Sequence, residues 1–196
     1  MFEFLKNSFR RRSLRRHACN EPTGILPLGE VRTVAVILDA ADPSFEDCQQ
    51  ALRAFFSEHK MKGDLFITGT DDNNRKKEQN WFGQPSAQII SHLRDMRADL
   101  CISLLRDASF PVEFMVKCIP ARFKIGRVQL PGSPFDLVVS DPAGQALSQL
   151  DSFRSIRQML EKIISISTDR SGSSGSLKGC RKGLCVRSVA MSETPP

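Results

Sequence analysis

The sequence predicts an α/β protein with a three-layer, mostly parallel sheet of about five strands and an antiparallel strand at one edge. Three observations predict it. Short apolar runs rich in β-branched residues alternate with segments of helical period. Those runs are continuous, as in strands buried on both faces. The fourth and fifth runs are joined by only about eight residues, whereas a parallel crossover takes about a dozen or more, so the fifth strand should run antiparallel. Strand–helix alternation of this kind makes the sheet Rossmann-like.

The elements follow in order. Residues 2–16 fit a helix, with Phe2, Leu5 and Phe9 on one face. Arg12 and Arg16 continue that face, so its apolar stripe gives way to charge. Such a helix cannot bury its second half; it should project, or lie on something anionic. Thr33–Leu38 is the first strand and ends in Asp39. Ser44 should cap the next helix, with Asp47 three residues on as in a capping box. Cys48, Ala51, Leu52, Phe55 and Phe56 give that helix its buried face. Asp64–Thr70 reads as the second strand and 71–79 as a polar loop. Ser86 caps a helix through Ile90, Leu93 and Met96. Asp99–Leu105 is the third strand, Pro111–Cys118 a short helix, Arg122–Gly126 the fourth strand and Phe135–Ser140 the fifth. A long helix runs from Ala146 to Ile166, with Leu147, Leu150, Ile156, Leu160, Ile163 and Ile164 as core. The division is thus a basic arm at 1–20, one α/β domain at 30–166, and a Gly/Ser linker with a basic tail at 167–196.

Charge sharpens that division. The 196 residues hold 28 Lys and Arg against 22 Asp and Glu, for a net charge of +6. Residues 1–17 carry six basic groups and one acid, and residues 169–196 five and two, which leaves the body at −2. The basicity belongs to the ends. No apolar run is long enough to span a bilayer. The basic start is followed by Ala18–Pro22 and not by an apolar stretch of the secretory type, although residues 1–19 share the Arg-rich, acid-poor composition of organelle transit peptides. Six cysteines are scattered without close pairing, Cys101 and Cys118 inside apolar runs, which fits a reducing, cytoplasmic setting.

Ligands of open parallel sheets bind beyond the carboxyl ends of the strands. Asp39 and Arg127 fall there. An acid directly after a buried strand can hold a ribose hydroxyl, a metal or a substrate amine, or simply accept bonds from loop amides. Asn80, Trp81, Phe82 and Gly83 form the most unusual loop and contain the one Trp; the loop either covers a rim of the sheet or presents itself to a partner. No glycine follows the first strand, so the phosphate-cradling loops of both common nucleotide-binding types are missing. His17, His59 and His92 have no metal-ligand spacing. Cys180 and Cys185 lack the second pair a zinc site needs and read as free thiols. No catalytic residue, cofactor or metal site is implied.

The segments Met1–Lys6, Asn80–Pro85, Phe123–Arg127 and Phe135–Leu137 together resemble a family of short Bacteroidetes proteins, a domain of unknown function, over about residues 1–166. The Asn-Trp-Phe-Gly-x-Pro loop is its most specific part; the tail after Ser167 departs from the pattern. Ala98–Leu104 with Ala121–Gly126 is also similar to the amino-terminal half of heptosyltransferase-type glycosyltransferases, whose nucleotide-sugar half this chain is too short to contain. That likeness implies fold and not activity.

The function expected is a non-enzymatic binding module held to an anionic partner by its basic arm, through Lys6, Arg10, Arg11, Arg12, Arg15 and Arg16. Ribosomal RNA and the inner membrane surface both qualify. The alternative is a small enzyme or ligand-binding domain at the strand rim near Asp39 and the Trp81 loop.

Overall fold

The first apolar run forms the centre of the molecule. The structure, a computed structural model, describes residues 2–19, 23–69, 83–142 and 145–170. Strand β1 is Thr33–Asp39, and Val34 to Leu38 are all buried. It is flanked by β2 (Lys62–Thr68) and β3 (Ala98–Ser103); β4 (Ala121–Gly126) and a two-residue β5 (Leu137–Val138) complete the order β2-β1-β3-β4-β5. All four pairings are parallel.

The helices form two layers around this sheet. Val34, Val36 and Leu38 point to α2 (Phe45–Glu58) and α5 (Gln149–Arg170), joining Cys48, Leu52, Phe55, Phe153 and Ile156 in one core. Ala35 and Ile37 point the other way, to α3 (Ala87–Asp95) and α4 (Phe110–Cys118), where Leu93, Phe114 and Val116 build the second core. A strand with period two and both faces covered accounts for the unbroken apolar run. Helix α1 (Phe2–His17) packs on the outside of α4.

Two local expectations hold. Cys101 and Cys118 are buried core residues. The Ser86 hydroxyl accepts from the Ile89 amide at 3.4 Å and caps α3. The capping box at Ser44 does not form. Its hydroxyl donates to Asp42 Oδ1 at 2.7 Å and accepts from the Leu150 amide at 3.1 Å, so it ties α2 to α5 instead. The buried side of α5 includes Phe153, which the sequence reading misses. The side chains of Ile163 and Ile164, the loop 71–79 and the linker and tail beyond Arg170 lie outside the described residues.

The expected antiparallel edge is overturned: β5 runs parallel to β4, pairing Ile125 with Leu137 and Gly126 with Val138. The reason is length. β5 meets only the last two residues of β4, so the chain has to climb back by a couple of residues and not by a whole strand. A loop does this without a helix. Leu130 is buried in the second core, Phe135 lies against Gly126, and Ser133 takes a left-handed φ of 43° at the turn. The dozen-residue minimum belongs to crossovers that carry a helix.

Candidate functional site

Three places collect polar chemistry: the outer face of α1, the carboxyl rim of the sheet, and a cleft beneath the end of α1.

Helix α1 is laid along α4. The Arg10 guanidinium sits 4.9 Å from the Phe110 ring centroid, His17 stacks at 5.7 Å from Phe114, and the Cys19 amide donates to the Lys117 carbonyl at 2.8 Å. These contacts rise together in both helices, so α1 and α4 run the same way and the first two turns of α1 continue past the start of α4. Ser13 is buried and its hydroxyl donates to Gln84 Oε1 at 2.9 Å; Leu14 packs on the second core. The Arg16 carbonyl accepts from Arg94 at 3.4 Å. The expectation that the second half of this helix projects is therefore corrected: it is the half that docks. Its docking face contains small and polar groups because α4 supplies the apolar rings, Phe110 and Phe114, on which Arg10 and His17 rest. Burial first, then the Arg94 and Arg16 charges, push the His17 imidazole below its ordinary value.

The opposite face of α1 is exposed. It carries Arg11, Arg12, Arg15 and Arg16, with Phe4 at 78% and Leu5 at 49% exposure toward the tip. At 100° per residue these positions share one half of the helix, whereas the single acid, Glu3, lies on the docking side, 3.9 Å from Lys6. Of the six basic residues named from sequence, Lys6 and Arg10 thus face inward and four face out.

At the rim, β1 and β3 are neighbours whose following helices leave on opposite faces of the sheet. This is the switch point where such sheets place ligands. Here it is filled. Gln149, the first residue of α5 and 0% exposed, accepts from the Asp39 amide at 2.8 Å and donates to the Asp39 carbonyl at 3.3 Å. The Asp39 carboxylate accepts from the Ala41 amide at 3.0 Å, the loop role open to it from sequence. Arg127 is fully buried. Its guanidinium donates to the Leu104 carbonyl at 3.3 Å, the Leu147 carbonyl at 2.7 Å and Asp141 Oδ2 at 2.9 Å. Arg106 also donates to the Leu147 carbonyl. Asp42 completes the set: burial opposes its charge, but bonds from Ser44 and Gln149 and the Arg106 guanidinium hold its carboxyl below the usual range. The arrangement clasps α5 to the strand ends.

Asp39 and Arg127 are thus both at the rim, at the end of β1 and just after β4, each engaged within the protein. Gly83, with φ of 88°, is not with them; its nearest neighbours are Phe110, Pro111 and Arg10, beside α1. Asn80, Trp81 and Phe82 lie outside the described residues. Sequence reasoning misses Gln149 and Asp141, since a buried Gln at a helix start reads like any solvent-facing one.

The cleft, of about 540 Å³, lies between the end of α1, α4, β4 and the loop before β5. Cys19, Lys117, Lys124 and Asp136 line it. Lys124 is buried and donates from Nζ to the Val116 carbonyl at 2.8 Å, in the last turn of α4, where a cation suits the helix end. Burial lowers its pKa.

Among the described residues no helix is long and apolar enough to cross a membrane. No curated protein and no solved structure matches the chain. A family model does, over residues 3–150. That span starts in the first turn of α1 and ends just past Gln149, so it takes in the docked helix, the whole sheet and the plugged rim. The chain therefore belongs to that family, DUF6913, a family of unknown function.

Proposed function

We propose that the protein is a non-enzymatic binding module that seats on an anionic membrane surface through α1. One observation carries the reading: α1 is docked by one face, leaving Arg11, Arg12, Arg15 and Arg16 together with Phe4 and Leu5 on the other. A helix whose back is occupied can address a flat partner, whereas an enclosing RNA groove would use arginines on all sides. Each Lys or Arg near an anionic leaflet contributes roughly 1 kcal/mol, and the apolar tip adds insertion. The partner is then the inner membrane surface, approached peripherally from the cytoplasm. The rim reading, with Asp39 and the Trp81 loop as site residues, is less favoured because the polar groups there bond to one another. The narrower kinship, with short Bacteroidetes proteins sharing the Asn80–Pro85 loop, belongs to the same proposal.

The test is co-sedimentation of the full chain with phosphatidylglycerol-rich and with neutral vesicles at low and high salt, alongside ribosomes. Binding to anionic vesicles, weakened by salt and lost when Arg11, Arg12, Arg15 and Arg16 are changed to Glu, is the expected result. Sedimentation with ribosomes alone, or with nothing, overturns it.

A further inference from the structure

The end of α1 brings two thiols together. Cys19 is half-buried and lines the open cleft; Cys118, the last residue of α4, is 1% exposed, and both are reduced. The backbone sets their spacing. The carbonyl that accepts from the Cys19 amide at 2.8 Å is that of Lys117, in the peptide leading into Cys118. Standard backbone dimensions then hold the two Cα atoms within about 6.5 Å of each other. A disulfide joins Cα atoms roughly 4.4–6.8 Å apart. Cys118 also senses its neighbour: burial first, then Cys19, push the Cys118 thiol up to about 12. The remaining described thiols are placed otherwise, Cys48 in the core on the far side of the sheet and Cys101 inside β3, opposite Lys124.

We propose that Cys19 and Cys118 form a reversible disulfide that staples α1 to α4, with a hydroperoxide as the oxidant. Cys19, the residue that lines the cleft, attacks a peroxide oxygen through its sulfur. The O–O bond breaks, Cys19 becomes a sulfenic acid, and the leaving oxygen departs as water when hydrogen peroxide is the oxidant. Cys118 then attacks the Cys19 sulfur. The S–S bond forms as the S–O bond breaks, and the proton from Cys118 leaves with the oxygen as a second water. Two thiols and one hydrogen peroxide thus give one disulfide and two waters, and a thiol reductant reverses the link. The proposal does not depend on the membrane reading; it concerns how tightly α1 is held, whatever α1 meets.

The experiment uses the full chain carrying Cys180→Ser and Cys185→Ser, so that the tail thiols do not compete. The reduced protein is treated with one equivalent of hydrogen peroxide and digested without reduction. The expected product is a peptide pair joining Cys19 to Cys118, lighter by two hydrogens and separated by dithiothreitol. Amide exchange across 10–17 should slow by about tenfold or more on oxidation, because local opening of α1 is then suppressed. Cys118 sits in the core, so Cys19→Ala, at a half-buried position, is the control; it should fold as the parent does and give no link. A sulfenic acid at Cys19 that persists and is trapped by dimedone, a link between any other pair, or unchanged exchange in α1 overturns the proposal.

Discussion

The rim of the sheet and the outer face of α1 use the same residue types to opposite ends. At the rim, Arg127 and Asp141 meet at 2.9 Å with the arginine side chain 0% exposed, and the Leu104 and Leu147 carbonyls accept from the same guanidinium. On α1, Arg11, Arg12, Arg15 and Arg16 are exposed. An arginine inside a clasp is part of the fold and stays because its loss would leave a half-buried carboxylate without its ion-pair partner. An arginine on the open face adds little to folding, so its presence in number points outward.

Four experiments put that contrast at risk. Arg127→Ala should have the largest effect. It takes the ion-pair partner from Asp141 and the donor from the Leu104 carbonyl, and urea unfolding should record a loss of about 3–5 kcal/mol. Gln149→Ala removes both bonds to the Asp39 backbone and should cost about 1–3 kcal/mol in the same assay. The third is a pH effect. The His17 imidazole is held below its ordinary 6.5, so the undocked helix binds the proton more readily. Docking of α1 is complete above that value and weakens as pH falls beneath it. Amide exchange across α1 should therefore quicken between about pH 7 and pH 5, and His17→Gln should flatten the profile. The smallest effect belongs to Arg15→Ala with Arg16→Ala, within about 0.5 kcal/mol of the parent. A large loss of stability there would erase the distinction between the two regions.

What the sequence makes legible is local. The unbroken run Val34–Leu38 reads as a strand covered on both sides, and Ser86 reads as a cap, because each depends on neighbours a few residues away. The direction of β5 is not legible, since it depends on how far along β4 the pairing begins. Nor is the docking of α1. Its apolar stripe of Phe2, Leu5 and Phe9 gives way to charge, which reads as a projecting helix, and the apolar partners of its second half are Phe110 and Phe114, far along the chain. Position alone places Asp39 and Arg127 at the correct edge of the sheet. That they are engaged there follows from Gln149 and Asp141, 110 and 14 residues downstream, respectively.

Gln149 has a consequence for engineering. Among the side chains that fill the crevice it is the one whose primary amide reads the amide and carbonyl of Asp39. Shortening it to Gly would leave a vacancy of amide shape with its donor and acceptor already aimed. A small primary amide such as propionamide should enter and restore stability, whereas an isosteric ketone, which lacks the donor, should restore less. The domain would then be a starting scaffold for a small-molecule sensor whose readout is its own melting temperature.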